Sequence, residues 1–251
     1  MKITKVGKRG VLFTFNELNK PPFNCVTTVY VIVGNKNYIV CDTYLGDYYM
    51  QQIKKYLHKN YGAKNYIAFN SHSHWDHIWG NKTFENNKII AHSLCKENII
   101  IEGEESLINH QDFIKEEVEI VLPNVIFNDS YSIPEEQVTF FYSPGHSNDS
   151  SSCFDKINDT LFVGDNIDDP FPSFMYWNNL SKYIETLQNY LSYNAQYIVQ
   201  SHGPVTSNEV LKSGIEYLIK LKNNEEMSFK DPVQQHKHLN NLKSLEYLNN
   251  N

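Results

Sequence analysis

The sequence is short of cysteine, of long apolar runs and of positive charge, and each shortage removes a class of protein. Cys25, Cys41, Cys95 and Cys153 are the four cysteines among 251 residues. No two form a C-x-x-C pair, so neither a zinc ribbon nor a thioredoxin-type redox motif is encoded. Free buried thiols in a reducing cytosol are the expectation. No stretch approaches the ~20 apolar residues of a membrane span, and Val11-Leu12-Phe13, behind Lys2, Lys5, Lys8 and Arg9, is too short for a signal-peptide core. A cytoplasmic chain with no membrane partner is therefore expected. The formal net charge of -7 argues against a general basic surface, so the expected partner is a small-molecule substrate and not nucleic acid. No linker rich in Gly, Pro or Ser and no repeat-length period interrupts the chain. One domain over 1–251 is expected, with a helical tail at 231–251.

What is present reads as strands and helices in two blocks. Runs rich in Val, Ile, Tyr and Phe predict strands over 11–15, 26–33, 38–41, 66–69, 88–91, 125–127, 138–142, 152–155, 160–163 and 197–199. Tyr49, Ile53, Tyr56 and Leu57 fall at helical spacing, as do Leu180, Tyr183, Ile184, Leu187 and Tyr190. Thr206 with Glu209 three residues later resembles a capping box for a further helix. The stretch from His92 to Leu122 has a loose helical period and predicts helices over the active-site face. This order suits an α+β fold with two sheets face to face and helices outside.

The densest chemistry lies in Ser71-His72-Ser73-His74-Trp75-Asp76-His77, directly after an apolar strand. Three imidazoles and one carboxylate share positions 72–77, and these ligand types suit zinc, or iron and manganese where oxygen ligands are mixed in. Three more candidates follow apolar strands beside a glycine: His146 after Pro144-Gly145, Asp165 after Gly164, and His202 before Gly203. Any one alone reads as a turn residue. The recurrence is the signal.

The order H-x-H-x-D-H, then His, Asp and His, resembles the metallo-β-lactamase superfamily, and the resemblance runs from about Val26 to Pro204. It implies a four-layer αββα sandwich and two divalent ions, zinc first, with iron or manganese as substitutes. His72, His74 and His146 would hold one ion, Asp76, His77 and His202 the other, with Asp165 bridging; Asp42 would stand behind the cluster as a supporting acid, or serve only as a turn cap. A water between two metals is acidified toward neutrality, and Asp76 could orient it or accept its proton. The implied reaction is hydrolysis of an ester, thioester, lactone, amide or phosphodiester. Asp165 makes the chain look like the glyoxalase II, lactonase and phosphodiesterase branches and not the β-lactam-hydrolysing ones. Two alternatives keep the same residues: a mononuclear iron persulfide dioxygenase, and a metal-stabilised binding protein without catalysis.

Substrate contacts are less legible. Phe171, Phe174, Tyr176 and Trp177 are the candidate pocket wall, with Tyr176 a candidate oxyanion donor, although such rings more often pack as core. Trp75 and Trp79 read as packing, and His58, His92 and His110 as surface or capping residues. His236-Lys237-His238 lacks a preceding strand and is set aside as a ligand pair.

Overall fold

The computed structural model describes residues 1–168, 170–174 and 179–250. Its first sheet has seven strands in the order β1 (Lys2–Val6), β2 (Gly10–Phe15), β3 (Thr27–Val33), β4 (Asn37–Cys41), β5 (Asn65–Phe69), β6 (Lys88–His92) and β7 (Val125–Phe127). The second sheet has five, ordered β12 (Tyr197–Val199), β11 (Thr160–Phe162), β10 (Ser151–Asp155), β9 (Val138–Tyr142) and β8 (Ser130–Ile133). Helices α1 (Asp47–Tyr61), α2 (Trp75–Ile78) and α3 (Ser93–Asn109) belong to the first half, and α4 (Leu180–Ser192), α5 (Asn208–Lys222) and α6 (Pro232–Asn250) to the second.

Alternation along the strands builds the layers. Successive side chains of a strand point to opposite faces, and here both faces are apolar because both are covered. In β4, Tyr38 and Val40 pack with α1 residues Met50, Ile53 and Leu57, while Ile39 and Cys41 face the second sheet. The same split separates Tyr66 and Ala68 from Ile67 and Phe69 in β5. Between the sheets, Phe69 meets Phe140 at a ring separation of 4.6 Å. Outside the second sheet, α4 and α5 bury Leu180, Leu187, Tyr190, Leu211 and Leu218. Each such side chain contributes roughly 1.5–3 kcal/mol through removal from water. The result is the αββα sandwich, an α+β fold.

Two strands escaped the hydropathy reading, β1 and β8, and each is the outermost strand of its sheet. The capping expectation is also corrected. Ser207 caps α5, its hydroxyl accepting Glu209 N–H at 3.4 Å, because Thr206 is engaged in a backbone bridge to Ile198. No helix among the described residues is long and apolar enough to cross a membrane.

The sheet edge carrying the β3–β4 turn buries charge in a satisfied form. Glu136 accepts the backbone N–H groups of Asn35 at 2.7 Å, Lys36 at 2.9 Å and Asn37 at 3.0 Å, plus Asn37 Nδ2 at 3.0 Å. Burial opposes ionisation of Glu136, but these donors outweigh it and hold the carboxyl below the usual glutamate range. Asp155 accepts Arg9 Nε at 2.9 Å and the backbone N–H groups of Ile157 and Asn158 at 3.0 and 3.1 Å.

Candidate metal centre

The other edge is where β4, β5, β9, β11 and β12 end, and every candidate ligand lies just beyond one of these ends. β4 with β5 and β11 with β12 are parallel pairs, so their carboxyl ends necessarily share a side. After β5 the chain bends through 71–73 to His74, whose φ of -62° and ψ of 144° cap α2, then turns helically so that Asp76 and His77 follow in one turn. The tight turn before His146 needs Gly145, where a Cβ would lie 2.5 Å from the Tyr183 ring. Gly164, before Asp165, has a φ of +58° that L side chains rarely adopt.

Two groups of ligand atoms result, each mutually within 4.8 Å: His72, His74, His146 and Asp165, and Asp76, His77 and His202. His74 Nδ1 lies 3.0 Å from His72 Nε2 and 3.2 Å from His146 Nε2. Asp76 Oδ2 lies 3.5 Å from His77 Nε2 and 3.4 Å from His202 Nε2. Asp165 Oδ2 reaches both groups, at 3.1 Å from His202 Nε2, 3.4 Å from His77 Nε2, and 3.7 Å from the Nε2 atoms of His72 and His146.

Hydrogen bonds on the far sides of the rings fix which nitrogen is bare. Asp42 Oδ2 accepts His77 Nδ1–H at 2.9 Å and the Ser71 hydroxyl at 2.9 Å. Having donated to Asp42, the Ser71 oxygen accepts His72 Nδ1–H at 3.0 Å. His146 Nδ1–H donates to Ser173 O at 2.9 Å and His202 Nδ1–H to Val26 O at 3.0 Å. All four rings therefore turn an Nε2 lone pair inward, the tautomer a metal requires. Asp42 sits at the left-handed φ of 63° that aspartate tolerates.

The residues fit a cation on a second ground. His77 Nε2 and Asp165 Oδ1 are buried and have no hydrogen-bond partner, a condition that costs about 1–3 kcal/mol per group unless a ligand relieves it. The electrostatics agree at His72, His74 and Asp165, whereas at His77 and His202 nearby carboxylates hold a proton on the ring that an ion would have to displace. Burial, with His77 and His74 beside it, holds His72 well below its ordinary value, and burial with His146 pulls His74 down to about 4. Burial also acts against charge on His77 and His202, but the carboxylates of Asp76 and Asp165 respectively prevail and raise them. Asp165, buried among these imidazoles, is held well below the carboxylate range by His202, His77 and His72. Neutral imidazole and ionised carboxylate are the forms that coordinate.

Several supports were not legible beforehand. Asp149 accepts Ser73 N–H at 2.8 Å and the Ser147 hydroxyl at 2.6 Å, tying the His72–His77 segment to the His146 turn. Asn166 Oδ1 accepts His146 N–H at 2.8 Å, while its Nδ2 donates to Ser143 O and Tyr190 Oη, both at 2.6 Å. Their only sequence signal is proximity to a candidate ligand. Ser173, which holds His146, follows Pro172, whose carbonyl accepts Asn241 Nδ2 of α6 at 2.9 Å.

A cleft of about 500 Å³ opens over Asp76, His146, Asp165 and His202. The expected aromatic wall is corrected at Phe171 and Phe174. Phe171 and Phe174 are buried under the second sheet, Phe171 stacked on Tyr217 at 4.0 Å, and neither lines the cleft. Tyr176 and Trp177 lie outside the described residues. Trp75 and His110, taken as packing and surface, line the cleft stacked on each other at 4.1 Å. Trp79 is buried as expected, and His92 caps α3 by accepting Leu94 N–H at 3.2 Å. His238, from the set-aside pair, bonds Tyr217 Oη at 3.0 Å.

Comparison with known proteins accords with this geometry. No curated protein matches the chain. Among solved structures, a metallo-beta-lactamase from Pontibacter korlensis superposes with a TM-score of 0.68 at 17% identity, covering 87% of this chain and 98% of its own. A metallo-beta-lactamase from Hirschia baltica gives 0.68 at 19% identity, covering 86% and 97%. The DIM-1 metallo-beta-lactamase gives 0.71 at 16% identity, covering 88% and 97%. These likenesses are of fold. The sequence family described as the metallo-beta-lactamase superfamily matches residues 23–202, and the chain belongs to that superfamily.

Proposed function

We propose that this chain is a cytoplasmic, metal-dependent hydrolase that holds two divalent ions, zinc by preference, and cleaves an ester, thioester, lactone or phosphodiester of a small molecule. The observation that carries the reading is the convergence of bare imidazole nitrogens on Asp165 and Asp76, with His77 Nε2 and Asp165 Oδ1 buried and unpartnered. Members of this superfamily are mostly hydrolases. His72, His74 and His146 would hold one ion, Asp76, His77 and His202 the other, with Asp165 shared. When bound, such ions make a water nucleophilic near neutral pH and polarise the scissile carbonyl or phosphoryl oxygen.

The protein's own part is positioning and proton transfer. Asp42, Ser173 and the Val26 carbonyl keep His77, His146 and His202 in the coordinating tautomer. Asp76 lines the cleft and can accept the proton shed by the attacking water as its oxygen bonds the acyl carbon. That proton then leaves on the departing group. The resemblance of Asp165 to the bridging acid of the glyoxalase II and lactonase branches supports these substrates over β-lactams, and four free cysteines suit a reducing compartment.

The test is elemental analysis joined to a substrate panel. About two ions per chain are expected, together with turnover of aryl ester, thioester, lactone or phosphodiester probes that a chelator abolishes and zinc restores. A fully metallated protein inert to the whole panel overturns the proposal, and oxygen consumption with glutathione persulfide would put a dioxygenase in its place.

A further inference from the structure

The cleft says more about the part of the substrate that does not react. One side is apolar. Leu18 is buried there, and Phe23, 36% exposed, leans on Trp75 at 5.6 Å, His110 at 5.9 Å and Phe113 at 5.5 Å. The other side is one face of α3, since Glu102, Gly103, Glu105, Ser106 and Asn109 recur at helical spacing along the lining. Ser106 is committed elsewhere, donating to Gly103 O at 2.6 Å and accepting Trp79 Nε1–H at 3.3 Å.

Among the described residues that line this cleft there is no lysine and no arginine. Burial lowers His110, which favours its neutral form. Among the described residues, Glu102 and Glu105 are the charged ones that line the α3 side. Recognition of a carboxylate, phosphate or phosphodiester tail calls for fixed cations, and guanidinium above all. At the floor, by contrast, lie the candidate metal ligands Asp76, His146, Asp165 and His202.

On the reading that this cleft is the substrate site of a hydrolase, we propose that the substrate is a neutral or cationic acyl compound, an ester, thioester or lactone with an alkyl or aryl group seated on Phe23 and Trp75. Glu102 and Glu105 set the charge preference by repelling anionic tails. Phosphodiesters and carboxylate-bearing thioesters are thereby excluded from its good substrates.

Zinc-loaded protein decides this with p-nitrophenyl esters that share a leaving group: the butyrate, the 4-trimethylammoniobutyrate and the succinate half-ester. The first two should exceed the succinate ester in kcat/KM by about tenfold at low salt, the gap narrowing as salt screens it. Phe23→Ala should raise KM for the butyrate with little change in kcat. The double variant Glu102→Lys, Glu105→Lys should close or invert the gap. A succinate ester preferred by the native protein, or a gap the double variant leaves intact, overturns the proposal. A second arm separates this from failure of the hydrolase reading: affinity for benzyltrimethylammonium, followed by tryptophan fluorescence of the zinc-loaded protein. If no ester is cleaved yet the native protein binds this cation several-fold more tightly than the double variant does, the hydrolase reading falls and the charge preference of the cleft stands. Equal affinity in the two proteins overturns the preference.

Discussion

At the edge carrying the β3–β4 turn, Glu136 and Asp155 are fully buried, and each of their carboxylates is surrounded by donors. At the opposite edge His77 and Asp165 are buried nearly as deeply, yet Nε2 of one and Oδ1 of the other face no partner. One sandwich thus contains two solutions to the same desolvation problem. A closed network rigidifies, while an open one is tolerable only where a ligand completes it. Burial of charge by itself does not mark a site. Burial of charge with unfilled valence does.

Substitutions at the two edges should therefore differ in kind. The largest effect is expected from Asp165→Ala, which removes the one carboxylate that reaches both ligand groups: bound metal should fall below two per chain and activity on any substrate should vanish, while the far-ultraviolet circular dichroism stays native. Full metal content in that variant would break the comparison. Asp42→Asn keeps shape but loses the anionic acceptor for His77 Nδ1–H, and metal affinity measured by chelator competition should drop by about 10–100-fold. A ring that needs no orienting acid would show no change.

Glu136→Gln probes the closed edge. It should destabilise by about 1–2 kcal/mol at neutral pH, through loss of charge-assisted bonds, with metal content untouched. Because the folded-state pKa of Glu136 is depressed, its contribution is present above the ordinary glutamate value and fades as pH falls through the folded one. Denaturant titrations should show the wild-type advantage shrinking on acidification; a constant difference would show that its carboxylate form is not what matters. The smallest effect is expected at the exposed Lys182–Glu185 pair, where Lys182→Ala should change stability by less than about 0.5 kcal/mol.

Sequence legibility follows the same division. The H-x-H-x-D-H segment declares itself because four polar groups crowd one short stretch, and strands buried on both faces declare themselves by unbroken apolar runs. β1 and β8 did not, since their exposed positions carry polar residues, Lys2, Thr4 and Lys5 in β1 and Ser130 and Ser132 in β8, whereas the equally outermost β7 and β12 are apolar throughout or nearly so. The cleft wall failed for another reason. Phe171 and Phe23 are equally aromatic in the sequence, and only the path of the chain decides that the first stacks on Tyr217 while the second lies open beside Trp75. Asn166 and Asp149 are common polar residues whose importance lies wholly in the partners that folding brings to them.

The bond from Asn241 to the Pro172 carbonyl has a practical side for anyone trimming the protein. A fragment cut at the matched boundaries, 23–202, would retain all seven candidate ligands. It would discard β1 and β2, the apolar cover supplied by α5, and the α6 contact that restrains the segment presenting the Ser173 carbonyl to His146. The homologous core is in this sense not a portable module, and a minimal expression unit has to extend into α6.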